Sequence, residues 1–244
     1  MENTDLRTGT KRKRGLSAAG LKYIAIAAML IDHLAWMYTE LPSAEGQLLH
    51  FIGRLTAPIM FFFVAEGYAH TRSVPKYALR LLVLALISHI PFVYFESGTV
   101  TLLPFSVICT LLLGLMAIWA WDCIVPLLPR VLAVIAICVA AYPADWSFWG
   151  VLLCLAFFIC RGSFPKTCAA VSIICFARIL YIYLFWWNGP ISDFVSAYFF
   201  QLGILLPLPL LRLYNGERGS AFSKRLFYVF YPAHLLILGL INWM

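Results

Sequence analysis

Asp32 and His33 stand side by side within the apolar run LKYIAIAAMLIDHLAWM (21–37). Ionisable groups placed in hydrocarbon cost a few kcal/mol each, so a chain that keeps them there uses them. An imidazole beside a carboxylate can accept a proton near neutral pH, the property a general base needs. A second apolar run, GRLTAPIMFFFVAEGYAHT (53–71), carries Arg54, Glu66 and His70. His50 and Arg54 are four residues apart, as are Glu66 and His70, so each pair shares a helix face. His89, Arg178 and His234 are the other polar groups inside apolar segments. Adjacent helical residues point about 100° apart. If His33 faces a cavity, Asp32 is therefore expected to meet an arginine of a neighbouring helix, Arg54 or Arg178. His50, near a span end, is expected at the interface.

The elements that must hold these groups are membrane helices. Of 244 residues, 63% are hydrophobic and 12% charged, against about a quarter charged in soluble domains. This excludes a sizeable soluble domain. The net charge of +7 does not indicate nucleic acid, because the basic residues cluster at segment ends, where topology explains them. The seven cysteines show no CxxC pair and no ligand spacing; they read as small packing residues, with no metal site and no disulfide. No GxSxG, HExxH, DxD or phosphate-cradling glycine loop is present, which removes the common soluble hydrolases, metalloproteases and nucleotide-dependent enzymes.

Hydropathy divides the chain into a basic amino-terminal segment, 1–18, expected to be mobile and cytoplasmic, and one transmembrane domain, 19–244. About nine spans are expected, at 19–39, 47–70, 76–95, 103–121, 125–142, 146–160, 164–186, 195–213 and 226–243. The first is too long for a signal peptide and is retained. Starting with KRKR (11–14) inside and alternating, the inner loops receive Arg72, Lys76, Arg161, Lys166, Arg212, Arg218, Lys224 and Arg225. The outer connections hold Glu40, Glu45, Glu96, Asp145 and Asp193, with no Lys or Arg. An all-α polytopic protein with its amino terminus cytoplasmic and its carboxy terminus outside follows. The inner turn WDCIV (121–125) has no basic residue of its own.

At about 1.5 Å per residue, this topology sorts the polar groups into two strata. The outer one holds Asp32, His33, His50, Arg54, His89 and Arg178. The inner one holds Glu66 and His70 with Arg72 and Arg80 close by.

Several stretches together resemble the TraX family, membrane proteins named for a pilin-acetylating factor of conjugation. They are LKYIAIAAMLIDHLA (21–35), IGRLTAPIMFFFVAEGYAHTRSVPKYALRLLVLALISHIPF (52–92), WSFWGVLLCLAFF (146–158), LYNGERG (213–219) and FYVFYPAHLLIL (227–238). The family in turn resembles a wider group of transmembrane acyltransferases. There, a histidine of the first span acts as base, and an FF-rich stretch ending in a small residue and glycine opens the second helix of the core. Here those positions are His33 and 61–67. The resemblance implies transfer of an acyl group, most simply acetyl from acetyl-CoA, from the cytoplasmic face to an amine or hydroxyl of a protein, glycan or lipid acceptor. A pilin-like amino terminus would be the acceptor if the family name holds. It also implies a bacterial inner-membrane location. His89 stands in SHIPF (88–92) where the family pattern has Glu.

The depth map suits this scheme. His33, with Asp32 and Arg54, is the candidate catalytic group. Glu66, His70, Arg72, Lys76 and Arg80 are the candidates for the CoA end, with the LYNGERG loop closing over it. His89, Arg178 and His234 remain as further buried polar groups. The expected partners are the bilayer, acetyl-CoA and the acceptor, with no nucleic acid; self-association is compatible with the sequence. The alternative is a small-solute or proton-coupled transporter, for which buried Asp, His and Arg are equally natural. Transporters often show inverted repeats and paired broken helices, which the sequence does not reveal.

Overall fold

The computed structural model describes residues 14–219 and 222–244, excepting the side chains of 222–225. Residues 1–13, and with them Lys11, Arg12 and Lys13, lie outside the described residues, as do the side chains of Lys224 and Arg225. The helices are α1 (Ala18–Tyr38), α2 (Ala44–Gly53), α3 (Thr56–His70), α4 (Val74–Ser97), α5 (Val107–Cys123), α6 (Leu127–Ala140), α7 (Ser147–Ile159), α8 (Phe164–Trp186), α9 (Ile191–Tyr198), α10 (Pro207–Arg212) and α11 (Phe222–Trp243). A 3-10 segment (Phe199–Leu205) joins α9 to α10. The architecture is all-α, as expected, and the protein is a multi-pass membrane protein. Six helical stretches are long and apolar enough to cross a bilayer, and three shorter apolar helices, α5, α6 and α7, accompany them.

Local chemistry sets the ends. The side chains of Ser17, Ser43 and Ser73 accept from the backbone N–H groups of Gly20, Gly46 and Lys76, satisfying orphan donors at the starts of α1, α2 and α4. Gly98, at φ 67, closes α4 in the left-handed region that favours glycine.

Two spans are interrupted by proline. Pro58 has no N–H for the carbonyl of Arg54, four residues back, and the stretch 44–70 breaks there into α2 and α3. Pro207 likewise cannot bond the carbonyl of Gly203, and the span passes through the 3-10 segment. The two breaks meet. A Cβ at Gly203 would lie 2.3 Å from the Phe51 carbonyl oxygen, so only glycine permits this backbone contact.

Helices α1, α3, α4, α5, α7 and α11 surround the core, and α7 is its most enclosed member. Eight residues of α7, among them Trp149, Cys154 and Phe157, are buried. Small residues let it approach its neighbours: Gly114 of α5 lies against Cys154, and Gly150 lies against Thr110 and Phe61. By contrast α6 buries no residue, and α8 buries only Val171 and Cys175, leaving apolar faces for lipid.

At 13 residues, α7 is about 20 Å long, too short for a hydrocarbon core of about 30 Å. The missing length is made up by the connector 141–146, which turns inward. It is held by hydrogen bonds from Phe105 N–H to the Pro143 carbonyl (3.0 Å), from Asp145 N–H to the Phe105 carbonyl (2.8 Å), and from the Thr110 hydroxyl to the Asp145 carbonyl. Irregular backbone at membrane depth is tolerated only where protein or a cavity surrounds it.

The bundle has one end rich in basic residues and one rich in acidic ones. At the basic end, Arg130 folds back and donates to the carbonyls of Ile124 (2.6 Å) and Val125 (3.3 Å), bringing positive charge to the turn after α5. Reporters fused at Glu45, Glu96 or Pro190 are expected to map outside the cell, and those at Ser73 or Gly216 inside. A cytoplasmic signal at Glu96 would overturn the orientation read from the sequence.

Candidate functional site

A cavity of about 500 Å³ opens in the acidic half of the bundle. Both Asp32 and His33 line it, together with Arg54, Glu96, Asp145, Trp146 and Tyr231. The 100° between neighbours on α1 is accommodated by different partners. His33 Nδ1 lies 2.7 Å from the carbonyl oxygen of Met29. A carbonyl only accepts, so Nδ1 carries the hydrogen and Nε2 keeps the lone pair, the arrangement a base requires. The ring is held edge-on by Phe95 (5.1 Å) and by His234 (5.0 Å).

Asp32 meets His50, with Oδ1 2.9 Å from Nδ1, rather than Arg54 or Arg178 as the sequence suggested. His50 is fully buried, not interfacial. The close approach of α1 to α2 decides this: a Cβ on Gly53 would sit 2.3 Å from Asp32 Oδ1. The carboxylate is seated on the helix carrying His50, and the ring of Trp36 covers that imidazole at 4.4 Å.

The two arginines are instead gathered by an aromatic ring. The guanidinium of Arg54 lies 5.3 Å, and that of Arg178 5.0 Å, from the Trp146 ring; Arg54 also lies 4.8 Å from Phe200. Cation–π attraction contributes about 2 kcal/mol when desolvated and eases the placement of like charges near each other. The Nε atoms of both arginines are buried without a hydrogen-bond partner among the described residues. The backbone follows this arrangement: Trp146 and Ser147 have φ of 65° and 45°. Two consecutive non-glycine residues in the left-handed region cost about 1–3 kcal/mol each, and such strain clusters at functional sites.

Sequence reasoning missed Glu96, Asp145, Trp146 and Tyr231. The first two were counted as outer-loop charges: Glu96 lies in the last turn of α4, and hydropathy cannot tell the connector of Asp145, which turns inward, from one that faces water. The available signal was the shortness of the 146–160 segment. His234 comes to the site through its ring contact with His33. Its Nδ1 donates to the Phe230 carbonyl (2.8 Å), and its Nε2 is buried without a partner among the described residues. His89 does not line this cavity; its Nε2 is 3.0 Å from the Thr101 carbonyl oxygen, and its ring lies against Phe105. A carboxylate still reaches the cavity from α4, two turns further along, at Glu96.

A second cavity, of about 540 Å³, occupies the basic half. Of the residues expected there, Glu66, His70, Arg72 and Arg80 line it and Lys76 does not. Lys22 lines it without having been singled out from the sequence, and Arg218 lines it from the loop expected to close over this end. Glu66 accepts from Arg161 Nε at 2.7 Å, and His70 Nδ1 is 3.8 Å from its other oxygen. The one carboxylate is thus already paired, and positive charge predominates. The loop 213–219 contributes Tyr214, Gly216 and Arg218. It is pinned to the chain before α1 by hydrogen bonds from Leu16 N–H to the Leu213 carbonyl (2.8 Å), from Asn215 N–H to the Leu16 carbonyl (3.0 Å) and from Ala18 N–H to the Glu217 carbonyl (2.8 Å). Burial pushes the Tyr214 phenol up, nearby Glu66 adds to this, and Arg161 and Arg218 oppose it. Tyr214 therefore remains a neutral hydrogen-bond donor.

No solved structure matches this chain. It is 32% identical over 239 residues to the protein named probable fimbrial assembly protein FimC, serogroup H1, of Dichelobacter nodosus, an alignment covering 93% of this chain and 96% of that relative. The family model described as TraX protein matches residues 17–242, which takes in the described helices up to the last residue of α11 and the walls of both cavities. The chain belongs to the TraX family.

Proposed function

We propose that this protein is an acyltransferase of the bacterial inner membrane, taking a short acyl group from acetyl-CoA at the basic end and delivering it to an amine or hydroxyl at the acidic end. The observation that supports this is the pair of cavities set back to back, one lined by Lys22, Arg72, Arg80 and Arg218, the other by His33. Phosphates of a CoA thioester suit the first, because charge-assisted hydrogen bonds from guanidinium and ammonium groups are about twice as strong as neutral ones. The acceptor enters the second, where His33 Nε2 takes its proton as the nitrogen or oxygen attacks the thioester carbonyl carbon. The C–N or C–O bond forms, the C–S bond breaks, and the thiolate leaves and is protonated on the donor side. Arg54 is placed to meet the negative charge that develops on the carbonyl oxygen. The name of the Dichelobacter relative, together with the family, favours a fimbrial or pilin-like subunit as acceptor; a glycan or lipid would meet the same chemistry.

Double charge reversal, Arg72→Glu with Arg80→Glu, is expected to weaken acetyl-CoA binding at least about tenfold, since hydrogen bonds to charged groups contribute about 1.5–3 kcal/mol each. Helicity by circular dichroism should not change. Unchanged affinity in a titration of the purified protein would reduce both arginines to topology determinants.

The second reading is a small-solute carrier. It is favoured by the two proline-interrupted spans that meet at Arg54 and Gly203, a feature shared with transporters whose broken helices frame a central site. Reconstituted protein separates the two: the enzyme consumes acetyl-CoA in proportion to acylated acceptor, whereas a carrier releases a solute and leaves the thioester intact.

A further inference from the structure

The walls of the two cavities share three residues: Met60 of α3, Leu111 of α5 and Phe227 of α11. A side chain that bounds both spaces has one cavity on either side, so the barrier between them is a single layer of side chains. None of the three carries a strong hydrogen-bonding group, so the layer offers nothing to a charged or hydrated group. Leu111 and Phe227, at 2% and 8% exposure, are fixed by their packing. Met60 is only partly buried, and its unbranched thioether side chain has three rotatable bonds, making it the adaptable member. Along α3, Met60 stands about 6 Å from Thr56 on the His33 side and about 9 Å from Glu66 on the basic side, at 1.5 Å per residue. The apolar layer therefore lies between the two polar strata.

We infer that Met60, Leu111 and Phe227 form an apolar septum through which the acyl end of the thioester reaches His33, and that its width selects narrow, unbranched acyl groups. The acyl-selecting part rests on the acyltransferase reading; the shared wall does not. The phosphates and pantetheine amides of the donor stay in the basic cavity, because the septum gives them no partner. Only the acyl carbonyl and its short tail pass. A branched acyl group needs a wider opening between the three side chains than an unbranched one does.

The geometry is tested first without reference to activity. In Met60→Cys, a membrane-impermeant thiol reagent applied to either face of sealed vesicles should label the peptide containing residue 60, read by mass. Labelling from one face only, or from neither, would overturn the septum. Selectivity is tested by comparing acetyl-CoA with isobutyryl-CoA. Met60→Ala is expected to raise kcat/KM for isobutyryl relative to acetyl by at least about tenfold, the discrimination that one or two methyl-sized groups provide in an apolar pocket. Leu111→Ala should act in the same direction if Met60→Ala is poorly folded. An unchanged ratio in both would remove the selecting role. If residue 60 is labelled from both faces while wild-type protein transfers no acyl group from either donor, the shared wall stands, and the acyl-selecting role falls with the enzyme reading.

Discussion

His33→Ala is expected to lower turnover by a factor on the order of hundreds or more, with acyl-CoA affinity and membrane insertion nearly unchanged. The expectation rests on the tautomer. The Met29 carbonyl, 2.7 Å from Nδ1, leaves Nε2 as the basic atom, and the rings of Phe95 and His234 hold the imidazole in place. Among the described residues no other imidazole lines this cavity to take over. The loss should appear in kcat rather than in KM for acetyl-CoA, because the proposed function assigns the donor's phosphates to the other cavity. Acyl transfer measured in nanodiscs with saturating acetyl-CoA decides the matter. Full activity in this variant would remove His33 from the mechanism and raise the carrier reading above the enzyme.

The second large effect is expected at Arg54. Replacing it with Met keeps much of the apolar stem but removes the guanidinium that lies over Trp146 and Phe200. If Arg54 stabilises the developing oxyanion, kcat should fall by about 10²–10³, the usual loss when one such donor is removed. Arg54→Lys should recover only part of this, since a point charge lacks the planar fork. A purely structural arginine predicts a different result: a lower Tm in Arg54→Met, restored by Arg54→Lys, with turnover of the folded protein unchanged in both. Comparing kcat with thermal stability across the two variants separates these outcomes. The Nε of Arg54, buried without a hydrogen-bond partner among the described residues, favours the first, because such a donor is suited to a group that arrives with the substrate.

Much of this arrangement was legible in the chain. Apolar runs of known length fixed the helical class and nearly every element, because the cost of exposing backbone polar groups to hydrocarbon leaves helices as the only open-chain solution. The four-residue spacing of Glu66 and His70 brought both to the wall of the basic cavity, and His33 lines its counterpart as the motif suggested. These features depend on local periodicity and on depth along one helix axis, both of which are properties of sequence. The TraX family was equally visible, through motifs spread over the whole chain.

What the sequence left open was rotation and contact. Asp32 chose His50 over two arginines because Gly53 lets α1 and α2 approach until the carboxylate touches the neighbouring backbone, a close approach that hydropathy does not encode. Asp145 and Trp146 entered the cavity because α6 and α7 are too short to span, so their connector lies at depth and takes a left-handed backbone there. The 213–219 loop was expected at the basic end, but only its hydrogen bonds to the start of α1, across nearly two hundred residues of chain, bring Lys22 beside it. The septum belongs wholly to the tertiary structure. Met60, Leu111 and Phe227 are unremarkable apolar residues on three separate helices, and only the packing of those helices places all three between the two cavities. Sequence determines which residues lie at which depth, since that follows from a chain's own length and hydropathy. Which of them meet is decided by interhelical packing, where small residues, proline breaks and short helices set distances that no single segment contains.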